Sequence, residues 1–171
     1  FTRFGIDHLS ASSINLWTSA PDLWIAKYIL GKSTPFGPAP LRGQCVEDAV
    51  AAILEGEEEA VAIRAAHDRF DRKFLIGDDD TTKERDLIAP MTRIAAEELA
   101  PFGRPEFPAE GQERITITAR FDGWSIPIWG FLDFCFPAHG IVVDLKTTNR
   151  VPSVMSPEHQ LQRAFYSAAK G

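Results

Sequence analysis

Residues 130–148 read GFLDFCFPAHGIVVDLKTT, two runs of β-branched and aromatic residues joined by a Pro-Ala-His-Gly break. Such runs form strands, and the break is turn chemistry. Each run carries one acid, Asp133 and Asp144, and Lys146 follows two residues after the second. Closure around Ala138-His139, or over a four-residue loop at residues 137–140, gives the same register, with Asp133 directly opposite Asp144. Their Cβ atoms are then expected about 5 Å apart. Alternation puts Asp144, Lys146 and Thr148 on one face and Val143 and Leu145 on the other. In the preceding run Phe131, Asp133 and Cys135 share a face.

Two carboxylates so close repel, and in a half-buried setting they share a proton or bind a cation. Lys146, about 7 Å from Asp144 along the pleat, is too distant to be the sole neutralising partner but stands beside whatever binds between the acids. Oxygen donors with room for water suit Mg²⁺ or Mn²⁺. A solvated sheet face would carry acids and a lysine without further reason. Phe131, Cys135 and Val142 on the same face argue against that blander account.

Outward from the hairpin, the pattern predicts a helical first hundred residues, then a sheet and a closing helix over 113–171, all within one domain spanning 1–171. SASSINLWTSAPDLWIAKYILG (10–31) reads as two short helices, with Ser10 or Ser12 as cap and Pro21 restarting the second. RGQCVEDAVAAILEG (42–56) is amphipathic, with Val46, Ala49, Val50, Ile53 and Leu54 at helical spacing and Gly56 as the stop. Two further helices follow on either side of IGDDD (76–80), the second kinked or interrupted by Pro90. Three strands are expected, RITITARF, IPIWGFLDFCF and IVVDLKTT. SPEHQLQRAFYSAAKG closes the chain as a helix, capped by Ser156 and ending at Gly171.

Composition narrows the function classes. At 171 residues the chain can bury a sizeable core, and 44% hydrophobic with 25% charged residues is a globular balance. No apolar run approaches the ~20 residues that span a bilayer. Nor does FTRFGIDHLSASS carry a charged-then-apolar signal pattern, so a cytoplasmic protein is expected. Two cysteines, Cys45 and Cys135, are too few for a disulfide framework or a four-cysteine cluster. A net charge of -6 argues against coating nucleic acid by bulk attraction, though not against a local basic groove or an acidic site neutralised by a cation.

Two more groups bear on chemistry. Glu47 lies at the margin of its helix's apolar stripe, with Gly43 one turn earlier to allow close approach to a sheet. By itself it reads as a boundary glutamate with its head in water. On the closing helix Leu161, Ala164, Phe165 and Ala168 form the apolar face, and His159, Gln162, Arg163, Tyr166 and Lys170 form a stripe of hydrogen-bond donors. Such a stripe beside paired acids suits a phosphodiester strand. His67 and Asp71, the 78–80 acid run and His139 are more simply surface, cap and turn residues, whereas Glu106, Glu110 and Glu113 precede the sheet and any one of them could serve as a supporting acid.

Taken in order, these pieces resemble the PD-(D/E)XK nuclease superfamily, in particular its RecB-like and phage lambda-type exonuclease branch. LSASSINLWTSAP is similar to the family's Ser-x-Ser segment leading to a Pro, and GQCVEDAV to its first motif, a Gly followed four residues later by an acid. GFLDF matches Gly-x-x-Asp, VVDLKTT matches Asp-x-Lys, and HQLQRAFY resembles the Gln-x-x-x-Tyr helix of the RecB-like branch. Asp-x-Lys alone is a weak signal, and the ordered set is a strong one.

The resemblance implies an α/β (α+β) fold with a restriction-endonuclease-like core, a central mixed sheet flanked by helices. It implies a divalent-metal-dependent DNA nuclease, an exonuclease before an endonuclease, with a catalytically weak DNA-binding or assembly module as the alternative. Glu47, Asp133 and Asp144, with the Leu145 carbonyl, would hold Mg²⁺ or Mn²⁺, and Lys146 would act on the attacking water and the phosphate. Gln162, Tyr166, His159 and Arg163 would contact DNA. No iron–sulfur cluster is expected, since Ala20 precedes Pro21 where clustered relatives carry a cysteine. The setting implied is DNA repair or recombination in a bacterial or prophage-encoded system. Its partners would be a helicase, a recombination protein or further copies of the chain, with no membrane.

Overall fold

The computed structural model describes the chain except residues 33–34, 75–76, 107–114, 149–152 and 171, and except the side chains of 115, 169 and 170. Glu110, Glu113, Gly171 and the Lys170 side chain therefore lie outside the described residues. The chain divides into two compact units. One comprises Phe1–Thr34, Pro108–Leu132 and Arg150–Gly171, the other Pro35–Phe107 and Asp133–Asn149.

In the first unit, α1 (Ala11–Ser19) begins at Ser10, whose hydroxyl accepts the Ser13 N–H at 3.1 Å while Ser13 Oγ accepts the Ser10 N–H at 2.8 Å. This reciprocal cap satisfies two helix-end donors and contributes about 1 kcal/mol. Pro21 opens α2 (Pro21–Tyr28), where its missing N–H costs nothing. Strands β1 (Ile115–Ala119) and β2 (Ile128–Leu132) pair antiparallel, and α1 and α7 (Pro157–Lys170) pack against the pair. Leu9 adds a parallel bridge to Ile128. The core here is Ile6, Leu9, Trp24, Ile126 and Ile128, with Phe165 of α7 against it.

In the second unit, α3 (Pro38–Glu55) is the central helix, touched by α4 (Glu59–Lys73), α5 (Asp79–Asp86) and α6 (Ile88–Leu99). Its end at Gly56 has φ 107, a left-handed conformation that only glycine adopts without strain. β3 (Phe134–Phe136) pairs antiparallel with β4 (Ile141–Val143). Phe70, Phe134 and Phe136 are fully buried together with Val46, Val50 and Ile88. Each such side chain contributes roughly 1.5–3 kcal/mol of transfer free energy.

The hairpin has the expected register, Phe134 opposite Val143 and Phe136 opposite Ile141, and it closes through the four-residue alternative. Pro137–His139 form a 3-10 turn and Gly140, at φ 63, ends it. Three expectations about the strands need correction. The long strand through Asp133 is broken there: Asp133 is a bend residue, and the two halves pair in different two-stranded sheets. The last strand stops at Val143, because the Leu145 N–H bonds to the Asp133 carboxylate instead of a strand carbonyl. All three residues of β3 are buried, so Cys135 does not lie on a half-polar face; both sides of this strand are covered. The helix drawn through Pro90 is two helices, and the break falls at Leu87, leaving Pro90 in the first turn of α6, where its missing N–H is tolerated.

Candidate active site

The second unit gathers Glu47, Asp133, Asp144 and Lys146. Glu47 is half-buried on α3, one residue past the fully buried Val46, and so stands where the apolar stripe gives way. Asp133 and Asp144 each lie one residue outside the Phe134–Val143 pair that ends the β3–β4 ladder. Asp133 Oδ2 accepts the backbone N–H of Leu145 at 2.7 Å. Burial first, then the negative charges of Glu47 and Asp144, push the Asp133 carboxyl up from 3.8 to about 6; the Leu145 N–H and the Lys146 ammonium pull the other way.

Lys146 Nζ pairs directly with Asp144 Oδ2. Regular strand geometry would set the two about a pleat apart, but residues 144–148 are not a strand, and the four-carbon lysine stem spans the gap. Lys146 is 46% exposed and Asp144 21%. The Leu145 N–H has a defined partner in Asp133.

Sequence reasoning passed over Arg42, Glu84 and Thr147. Arg42 is buried, ion-paired with Glu84 of α5, and donates to the Thr147 carbonyl at 3.1 Å. One signal was readable: Arg42 is i−3 and i−4 to Cys45 and Val46, on the buried side of α3, where a charge needs a partner. Which acid would supply it was not, because Glu84 lies 42 residues away. Gly43 does allow a close approach, as its lack of a side chain suggests: a Cβ there would stand 3.2 Å from Thr147 Oγ1.

In the first unit, Tyr166 is buried and its hydroxyl donates to the Phe131 carbonyl at 2.7 Å while accepting from Gln162 Nε2 at 2.7 Å. The spacing of i and i+4 brings these two together on one side of α7. His159 and Arg163 are exposed, and the His159 N–H bonds to the capping Ser156 hydroxyl at 3.3 Å.

A family profile of the PD-(D/E)XK nuclease superfamily matches residues 8–170. The chain belongs to this superfamily. Comparison with curated proteins and with solved structures finds no match. The mixed α/β architecture is consistent with the superfamily's restriction-endonuclease-like fold, and membership implies a nuclease that uses divalent metal ions.

Among the described residues, no three His, Cys, Asp or Glu side chains stand close enough together to cage an ion. Asp133 Oδ2 accepts the Leu145 N–H, and Asp144 Oδ2 pairs with Lys146. The donor chemistry fits a hard divalent cation. The acids offer only oxygen, and the buried carboxyl of Asp133 carries a charge that burial and like neighbours penalise and a cation would relieve.

Proposed function

We propose that the protein is a DNA nuclease acting as an exonuclease of the RecB-like or phage lambda type, with residues 1–171 working as one nuclease domain. The observation that carries this reading is the Asp133 carboxyl, buried, holding the Leu145 N–H at 2.7 Å, and set among the charges of Glu47, Asp144 and Lys146. Glu47, Asp133 and Asp144, with the Leu145 carbonyl, would hold Mg²⁺ or Mn²⁺. When bound, the ion supplies an acidified water and a Lewis acid at the phosphoryl oxygen.

The remaining work falls to the chain. Lys146, beside Asp144, would offset charge developing on the phosphate and orient the attacking water. No covalent enzyme intermediate is required. Gln162, Tyr166, His159 and Arg163 on α7 support strand binding, since the two exposed side chains are open to phosphates and Gln162 and Tyr166 are already linked. The branch is supported by the order of motifs, with the Gln-x-x-x-Tyr helix following Asp-x-Lys. The setting proposed is cytoplasmic, in bacterial or prophage-encoded repair or recombination, alongside a helicase, a recombination protein or further copies of the chain. No helix among the described residues is long and apolar enough to cross a membrane.

The test is incubation of end-labelled linear and closed circular DNA with Mg²⁺, Mn²⁺ or EDTA, beside Lys146→Ala. Metal-dependent loss of linear DNA alone, abolished by the substitution, is expected. Cutting of the circle would make the enzyme an endonuclease. Binding without cleavage of either substrate would leave a DNA-binding or assembly module.

A further inference from the structure

The buried guanidinium of Arg42 stands outside the acid–lysine set, yet it holds the segment that carries the lysine. We propose that Arg42 is the positioning residue of Lys146, pinning the carbonyl of the next residue, Thr147, while Glu84 fixes the guanidinium. The inference rests on the nuclease reading for the role of Lys146 itself.

Lys146 sits on a backbone without ladder support. The β3–β4 pairing ends at Val143, and residues 144–148 are not in a strand. Two hydrogen bonds flank the lysine. On one side the Leu145 N–H bonds to Asp133 Oδ2 at 2.7 Å. On the other the Thr147 carbonyl accepts from Arg42 Nη2 at 3.1 Å, with Thr147 Oγ1 3.4 Å from the same nitrogen. A half-exposed lysine has many rotamers, so the position of its Cα decides where the ammonium can reach. These two bonds set that position.

The Arg42 side chain is 5% exposed and that of its partner Glu84 15%. One terminal nitrogen meets Glu84 and the other meets Thr147, so two nitrogens held in a rigid plane serve separate acceptors, a geometry that the lone nitrogen of an ammonium does not reproduce. A buried ion pair contributes little net stability relative to apolar residues of similar size. What it adds here is a rigid donor aimed at Thr147. Gly43 completes the arrangement, because the absence of a side chain lets α3 come up to Thr147 Oγ1.

The decisive variant is Arg42→Met with Glu84→Met, which removes both charges together and leaves no lone buried ion. Arg42→Lys is the companion, retaining the charge but not the fork. Amide hydrogen exchange over residues 144–148 in metal-free protein, and kcat and KM measured separately on linear DNA with Mn²⁺, are the readouts. Exchange in that segment is expected to quicken about tenfold or more while α4 and α6 are unchanged. The expected kinetic change is a fall in kcat of about tenfold or more in both variants, with KM within about twofold. Unchanged exchange over residues 144–148 in either folded variant overturns the proposal. So does a kcat loss no larger than the unfolded fraction, which marks a merely structural residue. Wild-type protein that cleaves nothing would sink the nuclease reading instead, and the exchange measurement would still decide whether Arg42 holds the segment.

Discussion

The ring of Tyr166 lies over the bare Cα of Gly130: a Cβ there would stand 2.6 Å from the ring's Cε1 and 3.1 Å from Cδ1. The glycine of Gly-x-x-Asp and the tyrosine of Gln-x-x-x-Tyr are thus two halves of one contact. The tyrosine hydroxyl then bonds to the carbonyl of Phe131, the next residue along β2. Gly130→Ala is expected to force the ring or the strand aside and cost about 1–3 kcal/mol, read from the urea midpoint at constant slope. Adding Tyr166→Leu should recover part of that loss, because the clash disappears. A Gly130→Ala protein as stable as wild type would mean that the ring has room to move.

Tyr166→Phe keeps the ring over Gly130 but deletes its bonds to Phe131 and Gln162. About 1 kcal/mol of stability should be lost. Arg163→Ala, on the exposed side of the same helix, should change stability by less than about 0.5 kcal/mol. Its effect belongs to DNA binding: the slope of log affinity against log salt should shrink by about one. Fluorescence anisotropy across a salt series measures it, and an unaltered slope would remove Arg163 from the DNA path.

Asp133 makes the metal-free protein lose stability as pH rises. Its carboxyl titrates near 6 when folded against 3.8 as its ordinary value. Below about pH 4 both states are protonated and no penalty exists. Between about pH 4 and 6 the unfolded chain has released the proton and the folded one still holds it. The stability therefore declines across that window and levels off above it, by about 2–3 kcal/mol. Asp133→Asn should abolish this decline in EDTA, leave a more stable protein at neutral pH, and eliminate cleavage. A wild-type stability that is flat from pH 4 to 6 would contradict the burial argument.

Divalent ions should reverse the same penalty. An ion that binds only the folded protein at 100 times its Kd adds about 2.7 kcal/mol. Thermal unfolding with Mg²⁺ or Mn²⁺ against EDTA at pH 7.5 is expected to show a raised Tm in wild type. Asp133→Asn and Asp144→Asn should both remove most of the rise, and the ion's affinity should weaken as pH falls through about 6. An ion-induced rise that survives in both variants would locate the ion elsewhere.

Much of the candidate site is legible in the chain because its geometry is local. Hairpin register follows from the residues at the turn, so residue spacing alone sets Phe134 opposite Val143, with Asp133 and Asp144 each one residue beyond that pair. The Ser10 cap, the Pro21 start and the Gly56 stop follow equally from neighbours within a turn of helix. The break of the long strand is not legible. Val, Ile and Phe runs look alike whether one ladder continues or two meet, and it is the Asp133 carboxylate taking the Leu145 N–H that ends the pairing.

The sequence by itself determined the run of helices ahead of the strands, the hairpin register and the helix caps at Ser10, Pro21 and Gly56, because spacing along a regular backbone decides these. Tertiary structure alone decided that Tyr166 needs Gly130, that Lys146 reaches Asp144, and that Arg42 draws Glu84 and Thr147 to itself. Most of these contacts join residues far apart in the chain, and even the Lys146–Asp144 pair depends on the local loss of strand geometry. A buried charge or a bare Cα announces that a partner is required, and only the folded chain selects which residue meets the requirement.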